Sequence, residues 1–251
     1  MMKKLVLALS AMALLATPLF AQTADELIEK NIKAHGGEKM KAMKSVRMTG
    51  SMKMGPIEAP FTISKTRPEK VRMEFTVQGM TGMQAYDGTT GWAVMPFMGK
   101  KDPEKLAGDQ LDDIKEEADF DGPMVDYKAK GNKVEYLGKV DLEGTPAYKL
   151  KLTRKNGNEE TVYLDADNYL EIKTEGKRKI QGQEAETETT IGNYKEVDGV
   201  MFPTQIENHV KGREGAQTFT ISKIEVNPAI DAASFAMPAV AKTEEAPAKK
   251  Q

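Results

Sequence analysis

The 251-residue sequence contains no cysteine, one tryptophan and only two histidines, His35 and His209. Without cysteine the chain forms no disulfide, offers no thiolate nucleophile and carries no cysteine for lipid attachment. Two histidines leave few candidates for general acid–base catalysis or for a metal site. The sequence also lacks a glycine-rich phosphate loop and a nucleophile elbow. These absences make an enzyme the weaker functional class and predict no cofactor.

Long apolar runs are missing beyond the N-terminus. Residues 1–21, MMKKLVLALSAMALLATPLFA, place two lysines before an apolar run and a small residue, Ala21, before Gln22. This pattern predicts a secretory signal peptide cleaved near Ala21. No later stretch approaches the roughly 20 apolar residues that a bilayer requires. We therefore expect an exported, periplasmic protein that does not span the membrane after cleavage.

Neither sign of charge dominates. The chain has 36 basic and 38 acidic residues, and loss of Lys3 and Lys4 with the signal peptide leaves 34 basic residues and a net charge near −4. A surface of this kind does not favour nucleic acid as a partner.

The candidate catalytic residues all have simpler interpretations. His35 lies at the end of a predicted helix, next to its C-cap, where the helix dipole favours a cation, and His209 lies in an alternating, strand-like pattern. The segment at residues 165–168, DADN, is similar to the start of a calcium loop but lacks the required glycine and distal glutamate, so it predicts a turn. An acidic group is typical of a solvated helix face; its members are Asp112, Asp113, Glu116 and Glu117. No metal site is predicted.

The clearest β pattern lies within residues 67–98. Val71, Met73 and Phe75 alternate with polar residues, which predicts a strand with one apolar face and one face in water. Asp87-Gly88 predicts a tight hairpin between two further strands, the second of which contains Trp92.

Methionine is concentrated in the same part of the chain, because ten of the sixteen methionines lie between Met40 and Met98. Flexible thioether side chains fill irregular gaps in a core, and they also adapt to apolar ligands of variable shape. The sequence leaves both interpretations open.

The rest of the pattern predicts a mainly β protein with a few helices. Thr23 and Glu26 form a capping box before a helix that ends at Gly36-Gly37, and further helices are expected at residues 38–44 and 103–117. Strands resume near Lys133, with turn signals such as Asn156-Gly157. We expect about ten antiparallel strands in a curved sheet within a single domain at residues 22–238. Residues 239–251 are rich in Ala, Lys, Glu and Pro, which predicts a disordered tail.

A curved sheet of this size must fill its inner face with its own side chains, with helices or with a ligand. The sequence predicts few helices for this purpose. A binding protein whose ligand is apolar is therefore the favoured class.

The ordered set Arg67-Pro68, Asp87-Gly88-x-x-x-Trp92 and x-x-x-Pro96-Phe97 resembles the LolA-like lipoprotein carriers of the outer-membrane lipoprotein-sorting superfamily. The exported N-terminus, the opening helix and the segment at residues 230–235 are also similar, so that the resemblance spans roughly residues 24–238. It implies an unclosed antiparallel β-barrel, covered by a helical lid, around an apolar cavity for acyl chains.

The resemblance also implies roles for individual residues. Arg67 is expected to gate the lid by hydrogen bonding to lid-helix carbonyls, a task that suits a guanidinium better than an ammonium group. The hydrophobic ligand-binding wall is expected to comprise Val71, Met73, Phe75, Trp92 and Phe97. The chain departs from the family in its greater length and in its methionines, which replace much of the aromatic lining.

These features predict a non-catalytic carrier that binds acyl chains of lipoproteins or lipids and delivers them towards the outer membrane. The implied partners are an inner-membrane donor protein and an outer-membrane acceptor protein. The alternative is a lipid-sensing signalling module of the same fold that regulates a membrane partner. A lipid-active enzyme is the third and weakest hypothesis.

Overall fold

The structure is a computed structural model that describes residues 22–180 and 183–239. Within these residues there are three α-helices, α1 (Ala24–Ala34), α2 (Glu38–Ala42) and α3 (Asp109–Ala118), and two short 3₁₀ helices at Pro96–Met98 and Ala232–Phe235. The strands are β1 Ser45–Met54, β2 Ile57–Thr66, β3 Lys70–Val77, β4 Met80–Tyr86, β5 Gly91–Met95, β6 Lys100–Lys105, β7 Lys133–Leu142, β8 Thr145–Thr153, β9 Glu159–Asp165, β10 Glu171–Ile180, β11 Gln183–Gly192, β12 Lys195–Val197, β13 Val200–Phe202, β14 Gln205–Val210 and β15 Ala216–Val226.

Thirteen of these strands form one curved antiparallel sheet in the order β6-β5-β4-β3-β2-β1-β15-β14-β11-β10-β9-β8-β7, and β12 and β13 form a separate hairpin. Strands β6 and β7 end the sheet without pairing to each other in the described part of the chain, so the sheet is not closed into a barrel. The predicted fold class, a mainly β, unclosed antiparallel sheet with a few helices, is confirmed. The sheet has more strands than the ten or so expected.

The pairing register divides the sheet into two faces, because directly opposed residues of antiparallel strands point to the same side. One face can be followed from Val162 through Thr174 and Thr189 to Asn208 and Gln217. It continues from Phe219, two residues along β15, through Met52, Ala59, Phe61, Phe75 and Gly82. We call this the helix-covered face and the opposite side the outer face.

Helices cover the two ends of the helix-covered face. Helix α1 buries Leu27 and Ile28 against Leu150, Leu152, Val162 and Leu164. Helix α3 buries Ile114 and Ala118 against Val71 and Tyr86. Between them lies a cluster formed by β1, β2 and β15, whose buried members are Met52, Ala59, Phe61 and Ile221.

The segment after β15 crosses the outer face of β1 to β5, and we call residues 227–239 the C-terminal strap. Ser45 donates a hydrogen bond to the carbonyl of Pro228 over 2.8 Å, and Arg72 donates to that of Ser234 over 2.6 Å. Phe235 is fully buried. The outer face of β3, expected to meet water, is therefore partly covered by the chain itself.

The sequence predicted those features correctly that depend on interactions between neighbouring residues. The capping box is present, with Thr23 N–H donating to Glu26 over 3.0 Å and Glu26 N–H donating to Thr23 over 3.2 Å. Gly88 and Gly157 have φ angles of 98° and 89°, a region that favours glycine, at the two predicted hairpin turns.

The predicted helix at residues 103–117 is wrong over its first part. Residues 100–105 form edge strand β6, and α3 begins only at Asp109. Pro103 suits an edge strand because a missing N–H is tolerated there. The predicted signal peptide at residues 1–21, and residues 240–251 of the predicted tail, lie outside the described residues.

Candidate functional site

An apolar surface lies beneath α3 on the helix-covered face. Val71 is fully buried and Met73 partly buried in the cluster that also holds Ile114 and Ala118 of α3. Gly91 allows α3 to lie close to the sheet, because a Cβ atom at this position would lie 2.8 Å from Leu111 Cδ1. The strand alternation read from the sequence thus brings Val71 and Met73 together under the helix.

Phe75 and Phe97 extend the same surface. Their ring centroids lie 5.5 Å apart. Phe97 lies over Gly82, where a Cβ atom would come within 2.6 Å of its ring. We call Val71, Met73, Phe75 and Phe97 the apolar wall. Their role in ligand binding stays a prediction.

Trp92 does not belong to this wall. It pairs with Ala85, which in turn pairs with Arg72, so all three lie on the outer face. The indole is fully buried and its Nε1–H donates to the carbonyl of Phe235 over 2.8 Å. The expectation that Trp92 shares a wall with Val71 is therefore wrong in its placement, because neighbouring residues of a strand point to opposite faces. The indole anchors the C-terminal strap instead.

Arg67 connects the end of α2 to the segment that follows α3. Its Nε donates to the carbonyl of Met43 over 2.6 Å, and Nη2 lies 3.5 Å from the carbonyl of Met40. Its two terminal nitrogens also bind both carboxylate oxygens of Asp121. The guanidinium lies 4.6 Å from the centre of the Phe120 ring. This geometry is what gating of a lid would require, and gating itself stays a prediction.

Further polar contacts hold α3 across the concave side of the sheet. Lys65 of β2 lies 2.8 Å from Glu117. On the opposite side, Glu116 accepts hydrogen bonds from the side-chain amides of Asn156 and Asn158, each over 3.1 Å, and lies 3.5 Å from Arg154. Helix α3 is therefore docked by a narrow apolar stripe and by ion pairs at its rims.

His35, the C-cap of α1, forms a partly buried ion pair. Its Nε2 lies 2.5 Å from Glu171, and its Nδ1 lies 3.1 Å from the carbonyl of Met201. A carboxylate and a carbonyl only accept hydrogen bonds, so both ring nitrogens donate and the ring is an imidazolium. Burial lowers the pKa of His35, but hydrogen bonding to Glu171 and its charge outweigh burial and raise it. For Glu171, burial raises the pKa, and the stronger opposing effect of His35 lowers it.

A polar cavity of about 1070 Å³ lies between the acidic side of α3 and strands β9, β10, β11 and β14. Its lining includes Asp113 and Glu116 from α3, and Thr174, Thr187 and Thr189 from the strands. Burial raises the pKa of Asp113, and the nearby charge of Arg178 partly opposes this shift. The expected cavity was apolar, whereas this large cavity is charged and hydrogen bonding.

The described residues offer little catalytic machinery. No group of three or more His, Cys, Asp or Glu residues suited to a metal ion occurs among residues 22–180 and 183–239. His209 pairs with Glu188 and Ala216 on the outer face. Asp165 accepts from the N–H groups of Asp167 and Asn168, which confirms the predicted turn. In the same residues, none of the helices has the length and apolar character needed to cross a bilayer.

Sequence reasoning missed several residues that organise the site. Asp121 begins an Asp-Gly-Pro sequence that indicates only a turn, and Glu171 lies in a strand-like stretch. Neither position shows its distant partner in the sequence. The placement of Trp92 did have a signal. The turn that begins at Asp87-Gly88 pairs Tyr86 with Gly91, which sets Trp92 opposite Ala85 and away from Val71.

Comparison with known proteins identifies the fold. No protein-family model matches the sequence, and no curated protein matches it. Among solved structures, a LolA superfamily protein from Nitrosomonas europaea has a TM-score of 0.59 at 16% identity, covering 86% of this chain and 98% of its own. A DUF1329 family protein from Desulfovibrio piger has a TM-score of 0.59 at 11% identity, covering 84% and 96%.

A protein domain from Vibrio parahaemolyticus, described as outer-membrane lipoprotein-sorting, has a TM-score of 0.56 at 13% identity, covering 83% of this chain and 97% of that domain. Sequence identities this low show similarity of fold alone. The unclosed sheet with its covering helices is thus a LolA-like fold.

Proposed function

We propose that the protein is a periplasmic, non-catalytic carrier that binds the acyl chains of lipoproteins or lipids beneath α3 and delivers them towards the outer membrane. The observation that supports this most directly is the way α3 covers Val71 and Met73 of the apolar wall. A helix held by polar contacts at its rims can be displaced without disturbing the sheet below it.

The energetics favour α3 as a movable lid. A ten-residue helix is not stable by itself, and exposed ion pairs are worth about 0–1 kcal/mol each. The apolar contacts of α3 are limited to Leu111, Ile114 and Ala118. An acyl chain gains about 0.8 kcal/mol for each buried CH₂ group. A long chain lying on the apolar wall therefore replaces the contacts that α3 loses.

The LolA-like fold and the motif resemblance support the same class of function. Under this proposal, an inner-membrane protein donates the cargo and an outer-membrane protein accepts it. Met73, and Met95 beside Phe97 at Gly82, give the wall the adaptability that cargo of variable shape requires.

The test introduces a charge into the wall. Met73→Asp places a carboxylate among Val71, Ile114 and Leu111, where an acyl chain cannot solvate it. We expect affinity for a fluorescent fatty acid and for a triacylated lipopeptide to fall at least tenfold, a loss of about 1.4 kcal/mol or more. The measurement is a fluorescence titration of the purified protein.

Thr76→Asp is the matched control, because Thr76 lies three residues along the same strand on the outer face. It should bind both probes as the wild type does. Emission of Trp92, buried away from the wall, reports whether each variant is folded. Unchanged binding by folded Met73→Asp, or an equal loss in Thr76→Asp, would contradict the proposed site. Recovery of chemically altered cargo would contradict the non-catalytic class.

A further inference from the structure

The polar cavity shares α3 with the apolar wall. Leu111 and Ile114 face the wall, and Asp113 and Glu116, on the opposite side of the same helix, line the cavity. A volume of about 1070 Å³ is ample for a ligand group, since sites for whole small molecules span about 300–1,000 Å³. A molecule that lifts α3 from the wall therefore reaches both compartments at once.

The lining of the cavity excludes an acyl chain. Among the described residues that line it there is no aliphatic side chain and no Phe, Tyr or Trp. Its floor is built from short residues on the helix-covered face, Thr174, Gly176, Thr187 and Thr189, which leave space above the sheet. Hydroxyl groups and charged side chains stabilise a polar ligand group and give nothing to a hydrocarbon.

The charged side chains of the lining are mainly acidic. The carboxylates that face the cavity from α3 and from the helix-covered face are Asp109, Asp112, Asp113, Glu116 and Glu160, and the cations on that side are Arg154 and Arg178. Lys179, at the end of β10, lies 3.8 Å from Asp109. Arg154 is already paired with Glu160 at 2.8 Å and lies 3.5 Å from Glu116. Within the described residues, Asp113 has no ion-pair partner within 4.0 Å. An anionic group would meet a net negative surface, whereas an ammonium group would meet carboxylates.

We propose that the polar cavity binds the headgroup of the cargo and selects a zwitterionic, ammonium-bearing headgroup over an anionic one. The inference rests on the proposed function, because the acyl chain of the same molecule lies on the apolar wall.

The test compares two probes with the same acyl chain, palmitoyl lysophosphatidylethanolamine and palmitoyl lysophosphatidylglycerol, each displacing a fluorescent fatty acid from the purified protein. We expect the ethanolamine lipid to bind at least tenfold more tightly at low salt, with a smaller ratio at high salt. Equal affinity, or tighter binding of the glycerol lipid, overturns the headgroup inference and leaves the carrier function standing. If neither lipid binds and the fluorescent fatty acid does not bind either, it is the carrier function that fails.

Two matched pairs of variants locate the site. Thr189→Leu fills the floor and should weaken the ethanolamine lipid at least fivefold, whereas Thr190→Leu, on the outer face of the same strand, should not. Asp113→Asn should reduce the preference between the two lipids about threefold, as expected for a partly exposed charge. Asp167→Asn, in the turn after β9, should leave it unchanged. Unaltered binding of the ethanolamine lipid in Thr189→Leu, together with an unaltered preference in Asp113→Asn, would overturn the placement.

Discussion

The protonated ring of His35 binds two other elements of the fold at once. Its ring connects the end of α1 to Glu171 of β10 and to Met201 of β13. The side chains of His35 and Glu171 are only 17% and 19% exposed. Removing one partner of such a pair leaves a poorly solvated charge. The docking of α1 on the sheet is therefore sensitive to pH.

The pKa of His35 is raised from its ordinary value of 6.5, so its stabilising contribution is complete below pH 6.5 and is lost as pH rises through the raised pKa. The pKa of Glu171 is lowered from 4.5, so its contribution is present above pH 4.5 and is lost as pH falls through the lowered pKa. The ion pair therefore stabilises the fold most between pH 4.5 and pH 6.5, where both contributions are complete.

We expect His35→Gln to lower the free energy of unfolding by about 2 kcal/mol at pH 6, with a smaller loss above the raised pKa of His35. Urea unfolding over a series of pH values measures this difference. His209→Gln, the change at the other histidine, serves as the control and should change the free energy of unfolding at pH 6 by no more than about 0.5 kcal/mol. Parallel profiles for wild type and His35→Gln would show that the ring is not protonated in the folded state.

At the scale of elements, the C-terminal strap acts as an outer layer for β1 to β5. Phe235 and Trp92 are both fully buried at this junction, and the indole N–H is satisfied by a strap carbonyl. The strap therefore belongs to the hydrophobic core although it has little regular secondary structure.

Phe235→Ala should destabilise the protein by about 3–5 kcal/mol, because it removes a buried ring and leaves a cavity. Ser234→Ala, at the adjacent and less buried position, should change the free energy of unfolding by no more than about 0.5 kcal/mol. Denaturant unfolding followed by Trp92 emission measures both. Similar small losses in the two variants would mean that the strap does not stabilise the sheet.

The elements also show what the sequence could and could not predict. The alternation of β3, the capping box of α1 and the turns at Gly88 and Gly157 depend on neighbouring residues, and they were predicted. The start of α3 was not, because Pro103 suits a first helical turn as well as an edge strand. Contacts such as Arg67 with Asp121 join positions 54 residues apart and leave no local pattern.

At the scale of the whole molecule, Arg67 joins α2, the sheet and the segment after α3. Its planar fork meets carbonyls and a carboxylate at once, which the point charge of lysine does poorly. If α3 moves as a lid, as proposed, Arg67 is the residue that would couple its movement to α2.

Arg67→Lys keeps the charge and loses the fork, so we expect a bound fluorescent fatty acid to dissociate at least fivefold faster, the effect of losing about 1 kcal/mol of lid docking. Stopped-flow displacement measures the rate. Arg47→Lys, on the outer face of β1, is the control and should not alter it. A dissociation rate unchanged in Arg67→Lys would remove the gating role.

The sheet has two open edges, β6 and β7. Strands β6 and β7 share no hydrogen bonds in the described chain, so the space they flank can widen or narrow by a change in sheet curvature that breaks no backbone ladder. A closed barrel has a circumference fixed by its strand number and shear. Under the proposed carrier function, an open sheet of thirteen strands would accommodate cargo with two or three acyl chains at little more cost to the backbone than cargo with one.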